Sequence, residues 1–151
     1  ILSEMLVRPA FRPHEIDAER QVVIEEINMS EDDPADVAFE AFSRGVFAGH
    51  PLEAPVLGTR DSIRGMTRDD IAGYWKRRYG VGSTVVALAG SVQHDAITEM
   101  VAERFGDWSG DPVDHEYAAL APEPTANVIT RDTEQAHLVI GGAGLDRADE
   151  R

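Results

Sequence analysis

The 151-residue sequence contains no cysteine, which excludes disulfide bridges and thiolate metal sites and fits a cytoplasmic location. Basic residues are scarce: 14 Lys and Arg stand against 28 Asp and Glu, for a formal net charge of −14. Phosphate recognition needs clustered Lys and Arg, so nucleic acid is not expected as a partner. The one basic cluster, Lys76-Arg77-Arg78, falls at the end of an expected helix, where cations suit the dipole and carbonyls of the last turn. An acidic surface could attract basic peptides, though it more often just keeps a protein dispersed. No apolar run approaches the ~20 residues of a membrane span, so no membrane partner is expected. No secretory signal is visible, which says little about location in a chain that starts at Ile1 without a Met. What is there, 42% hydrophobic and 28% charged residues, is the composition of a globular chain rather than a disordered one.

Hydrophobic spacing and breakers divide the chain. Residues 1–7 read as the tail of a helix stopped by Pro9 and Pro13, and a second helix is expected over about 15–32. Asp33-Pro34-Ala35-Asp36 has the form of a helix start, with Asp33 as N-cap and Pro34 at the first helical position. That third helix would bury some combination of Val37, Phe39, Ala41, Phe42 and Val46 and end near Gly49. Residues 50–59 read as an extended, Pro-punctuated connection, in which a lone His50 is a hydrogen-bonded structural residue rather than a ligand. A short helical turn follows at 59–63. Thr67-Arg68-Asp69-Asp70 has the shape of a capping box opening a helix that holds Ile71, Tyr74 and Trp75. Residues 83–90 read as a strand, and Ile97, Met100, Val101 and Phe105 mark the core face of one more helix. Residues 107–125, with Pro112, Pro122 and Pro124, read as loop or linker; 127–131 and 137–140 read as strands; 146–151 read as a frayed, charged end. Gly141-Gly142-Ala143-Gly144 lacks the spacing of a phosphate-binding loop and reads as a strand end. The expected class is α+β, with helices packed on an antiparallel β-sheet.

The second helix holds the candidate site. Residues at i, i+3, i+4 and i+7 share a helical face, and from Glu19 that face reads Glu19, Val22, Val23, Glu26, with Ile16 and Ile27 extending the arc. Glu25 points away, with Gln21 and Ala18. Two acids on an apolar arc imply a cation partner, a metal or a wet cleft, because burying an unpaired carboxylate is costly. The wheel alone equally allows a helix that is only partly buried, with both acids along its edge.

Glu19-Arg20-Gln21-Val22-Val23-Ile24-Glu25-Glu26-Ile27 is followed, in order, by Gly49-His50-Pro51-Leu52, Pro55-Val56-Leu57-Gly58-Thr59, Ser62-Ile63, Met66-Thr67-Arg68-Asp69-Asp70-Ile71 and the apolar run 85–92. This series resembles the inverzincin zinc metallopeptidases, the family of pitrilysin, insulin-degrading enzyme and the mitochondrial processing peptidase, over nearly the whole chain. In that family an H-x-x-E-H helix supplies two His ligands and a general-base Glu, and a downstream helix supplies a Glu as third ligand. The resemblance implies that Glu26 is that metal ligand for Zn2+ and that Glu19 is the accessory acid beside the metal. It also implies peptide substrates in unfolded form.

No H-x-x-E-H occurs in the sequence, and its five histidines, His14, His50, His94, His115 and His137, are too far apart to make one. The resemblance therefore implies a fragment: residues 1–110 as the C-terminal part of the first pitrilysin-like domain, 111–126 as a linker, and 127–151 as the first strands of a second such domain. The absent N-terminal segment, and a second half from the same protein or a partner subunit, would complete it. Such a fragment is expected to be inactive alone and to hold zinc weakly or not at all. A homo-oligomer is compatible with this. The other reading is a non-catalytic member acting as scaffold or partner subunit, against which the two acids argue.

Overall fold

The computed structural model describes residues 1–111, 120, 123–142, 144–145 and 149. Among them the α-helices are α1 (Leu2–Val7), α2 (Pro13–Asp32), α3 (Pro34–Val46), α4 (Arg60–Gly65), α5 (Arg68–Arg78) and α6 (His94–Phe105), with 3-10 turns at Pro51–Glu53 and Val81–Ser83. The chain divides into two units, one of Ile1–Ala18 with Met66–His115 and one of Glu19–Gly65 with Glu116–Arg151.

The helix starts follow from local chemistry. Asp33 caps α3, its carboxylate accepting from the amides of Ala35 (2.7 Å) and Asp36 (3.4 Å), with Pro34 in the first turn. Thr67 and Asp70 close a reciprocal capping box on α5: Thr67 Oγ1 accepts from the Asp70 amide (3.2 Å), and Asp70 Oδ2 accepts from the Thr67 amide (2.8 Å). His50 heads the first 3-10 turn, its Nδ1 accepting from the Leu52 amide at 3.1 Å, the structural role expected of it.

In the first unit α1 packs against α6. Trp75 of α5 donates its indole N–H to the carbonyl of Leu6 at 2.9 Å and meets the Phe11 ring edge-on, with centroids 6.0 Å apart. Gly80 and Gly110 cross backbone to backbone; a Cβ at Gly80 would lie 2.7 Å from Gly110 Cα, so only glycine fits. Ile97, Val101 and Phe105 are half-buried, while Met100 is exposed.

In the second unit α3 packs against the turn at Pro51–Glu53. Residues 123–142 run along α3 and with it line a cavity of about 1130 Å³. Asn127 donates to the Ala41 carbonyl (3.1 Å) and Arg131 to the Glu31 carbonyl (2.5 Å). Val37, Ala41, Phe42 and Val46 are half-buried, whereas Phe39 is 60% exposed.

The expected α+β class, with helices packed on an antiparallel sheet, is overturned. Among the described residues there is no strand and no sheet; all regular structure is helical. A strand needs ladder hydrogen bonds from a second strand, whereas a helix makes its own. Residues 84–89 find no such partner among the described residues and stay irregular, with Val85 91% exposed. Residues 127–131 and 137–140 line the cavity beside α3 and form no strand. Continuous apolar runs do not by themselves distinguish a covered strand from a segment lying against a helix. Of the linker expected over 111–126, residues 112–119, 121 and 122 lie outside the described residues. So do Ala143 of the glycine-rich stretch and most of the end expected to fray, at 146–148, 150 and 151.

Candidate functional site

α2 shows which of its faces is held. Ile24 and Ile27, 8% and 5% exposed, are the buried hydrophobic residues among those described. They lie on one stripe with Arg20 and Glu31, at i, i+4, i+7 and i+11, and Ile16, Val23 and Asn28 flank it, all half-buried. Glu19 and Glu26 are both exposed, as is Val22 at 49%. At about 100° per residue, the two acids lie roughly 120° around the helix from the isoleucine pair. The wheel's inward arc is thus displaced from the buried stripe, and the acids stand on open surface. Physically this is the less costly arrangement, since an unpaired carboxylate stays in water.

The neighbouring carboxylates differ in what they touch. Glu25 is exposed and accepts a hydrogen bond from Asn28 Nδ2 at 3.3 Å. Glu31 takes part in an ion pair with Arg60 at 2.5 Å. Glu19 and Glu26 make no hydrogen bond or ion pair among the described residues, so both remain available to a group from elsewhere.

The zinc implied by the resemblance can be weighed against this donor set. Catalytic zinc takes three protein ligands, and a carboxylate oxygen is an acceptable one. Glu26 can be such a ligand. No group of three or more His, Cys, Asp and Glu residues among those described could hold a metal ion, so the described residues contain no complete metal shell. His50 is engaged by the backbone of its own turn and stands apart from this role.

What the sequence reading missed is the polar part of the α2 stripe. Arg20 donates to the carbonyls of Ile63 and Arg64, the latter at 3.4 Å, at the end of α4. Arg60, at the start of α4, directs Nε and Nη2 to Asn28 Oδ1 (3.2 and 2.6 Å) and Nη1 to Glu31. The spacing Arg20, Ile24, Ile27, Glu31 puts the four on one helical stripe, but a count of apolar positions passes over its charged ends, and spacing alone does not tell which stripe is covered.

The profile described as "Peptidase M16 inactive domain" matches residues 65–151, and the one described as "Insulinase (Peptidase family M16)" matches residues 1–60. An uncharacterized zinc protease of Streptomyces coelicolor is 35% identical over 100% of this chain and 35% of its own length. The uncharacterized zinc protease YmxG of Bacillus subtilis is 32% identical over 100% of this chain and 37% of its own length. The mitochondrial-processing peptidase subunit beta of Caenorhabditis elegans is 36% identical over 71% of this chain and 23% of its own. The chain spans about a third of the length of the zinc proteases it matches, 35% of the Streptomyces protein. With the order of its sequence motifs and two adjoining profile matches in agreement, the chain belongs to peptidase family M16, the pitrilysin family.

Proposed function

We propose that this chain is part of a zinc-dependent metalloendopeptidase that hydrolyses peptide bonds of unfolded peptides, with Glu26 as one zinc ligand and Glu19 as the accessory acid beside the metal. The observation that carries this reading is the free, exposed carboxylate of Glu26 on α2, in a chain of this family whose relatives include zinc proteases. The remaining ligands and the general base would come from an H-x-x-E-H segment elsewhere in the protein. In that arrangement residues 1–110 complete a first pitrilysin-like domain, 111–126 link, and 127–151 begin a second. The chain by itself would be inactive and hold zinc weakly or not at all. The absence of cysteine suits a cytoplasmic setting. No helix among the described residues is long and apolar enough to cross a membrane.

Bound zinc would supply Lewis acidity, lowering the pKa of its water and polarising the scissile carbonyl. The chain's own contribution is position. Glu26 offers an oxygen from the 20-residue helix α2. Glu19, about 10 Å away along the axis at 1.5 Å per residue, stands too far along the helix to share that role symmetrically. It suits an acid that orients a ligand from beside the metal.

The test is zinc content and peptidase activity of the protein expressed from its complete gene. Glu26→Gln should remove stoichiometric zinc and abolish activity, Glu19→Gln should lower activity about 10- to 100-fold, and Glu25→Gln should leave both nearly unchanged. Equal losses at positions 25 and 26 would mean that the wrong face of α2 has been assigned. A wild-type protein without zinc would favour the second reading, a non-catalytic scaffold or partner subunit. That reading draws on the match to an inactive domain and on a relative that is a subunit of a processing peptidase.

A further inference from the structure

We propose that Arg20 and Arg60 are positioning residues: they strap α4 lengthwise along α2 and fix the rotation at which α2 presents Glu26. This rests on the reading of Glu26 as a metal ligand and adds to it the device that aims the ligand. Arg20 reaches from α2 to the last carbonyls of α4, those of Ile63 and Arg64, which have no amide partner within a six-residue helix. Arg60 reaches the other way, from the first residue of α4 to Asn28 and Glu31. The two anchorages are 8 to 11 residues apart on α2, roughly 12–16 Å along its axis. They bracket Ile24 and Ile27, the buried pair on the same stripe.

A helix gripped at two well-separated points on one stripe is held against both rotation and sliding. One residue of slippage turns a helix by about 100°, enough to carry Glu26 out of any fixed coordination geometry. The bonds suit aiming better than bracing. The Arg60 and Glu31 side chains are 35% and 43% exposed, and a pair that open contributes little stability. What Arg60 supplies is the planar fork, three N–H donors directed at two acceptors on successive turns, which lysine does not reproduce. Towards α4, Arg20 brings a cationic donor to two carbonyls, which lysine can do.

The experiment uses the protein expressed from its complete gene and reads zinc affinity, by competition with a chromophoric chelator, alongside the melting temperature. Arg60→Ala, Arg60→Lys and Arg20→Ala should each weaken zinc binding about 10-fold or more, in the range seen when groups that orient metal ligands are removed. Arg20→Lys should recover most of the affinity. Thr67→Ala, which weakens the cap of α5, should lower the melting temperature and leave zinc affinity unchanged. Arginine variants that bind zinc within twofold of wild type would overturn the proposal. So would a loss that Thr67→Ala reproduces at the same fall in melting temperature. If Glu26→Gln keeps wild-type affinity, it is the ligand assignment that fails, whatever the arginine variants do.

Discussion

In α2 the side chains of Ile24 and Ile27 are 8% and 5% exposed, whereas in residues 84–92 those of Val85 and Leu88 are 91% and 52% exposed. The residues are equally apolar; the difference lies in the source of their backbone hydrogen bonds. A helix satisfies its amides internally and needs only a small neighbour to cover one stripe. On α2 the ends of that stripe are tied to α4 by Arg20 and Arg60. An extended segment must take its ladder from another strand. Residues 84–92 have none among the described residues, and their apolar side chains stay at the surface. The self-sufficient element is therefore the one able to carry carboxylates at a defined angle.

The contrast can be broken experimentally. Ile27→Ala should be the most damaging of three changes, destabilising by about 2–3 kcal/mol in urea unfolding, because it opens a void on the stripe that holds the buried hydrophobic residues among those described. A loss no larger than that from an exposed position would remove the basis of the comparison.

Thr67→Ala should act at an intermediate level, with a pH signature. The Thr67 hydroxyl, and then its backbone amide, hold the Asp70 carboxyl below its ordinary range, with desolvation opposing and the charge of Arg77 adding a smaller push downward. A carboxyl whose pKa is lower folded than unfolded contributes stability that is complete above the unfolded value. That contribution is lost as the pH falls through the ordinary aspartate range to the lowered one. Thermal melts of wild type and Thr67→Ala should thus differ most at neutral pH and less in acid, where the bond from the Asp70 amide to the Thr67 hydroxyl remains. A gap that stays constant with pH would show that the carboxylate takes no part in the cap. Val85→Ser should change stability by less than about 0.5 kcal/mol, as exposed substitutions do, and a larger loss would reveal burial that the structure does not show.

The elements legible in the sequence are those whose causes are local. Asp33 with Pro34, and Thr67 with Asp70, announce helix starts because the capping groups lie within three residues of the amides they serve. The ordered motifs from Glu19 to Val92 identified the family, and the profile matches agree. The stripe on α2 was harder to see. Counting apolar positions centred the face on Val22 and Val23 with Ile27 towards its edge, while the structure buries Ile27 together with Ile24, between Arg20 and Glu31. An arginine that ends on backbone carbonyls does not register in an apolar count.

By itself the sequence determined the helices, their caps and the family, since i to i−4 hydrogen bonds, side-chain caps and motif order are all properties of neighbouring residues. Tertiary structure alone decided that the apolar runs at 84–89, 127–131 and 137–140 form no strands among the described residues. It also decided which face of α2 is covered and that Glu19 and Glu26 stand in the open. Those outcomes depend on partners tens of residues away, Ile63 and Arg64 for Arg20 and Asn28 for Arg60, and no local pattern encodes them.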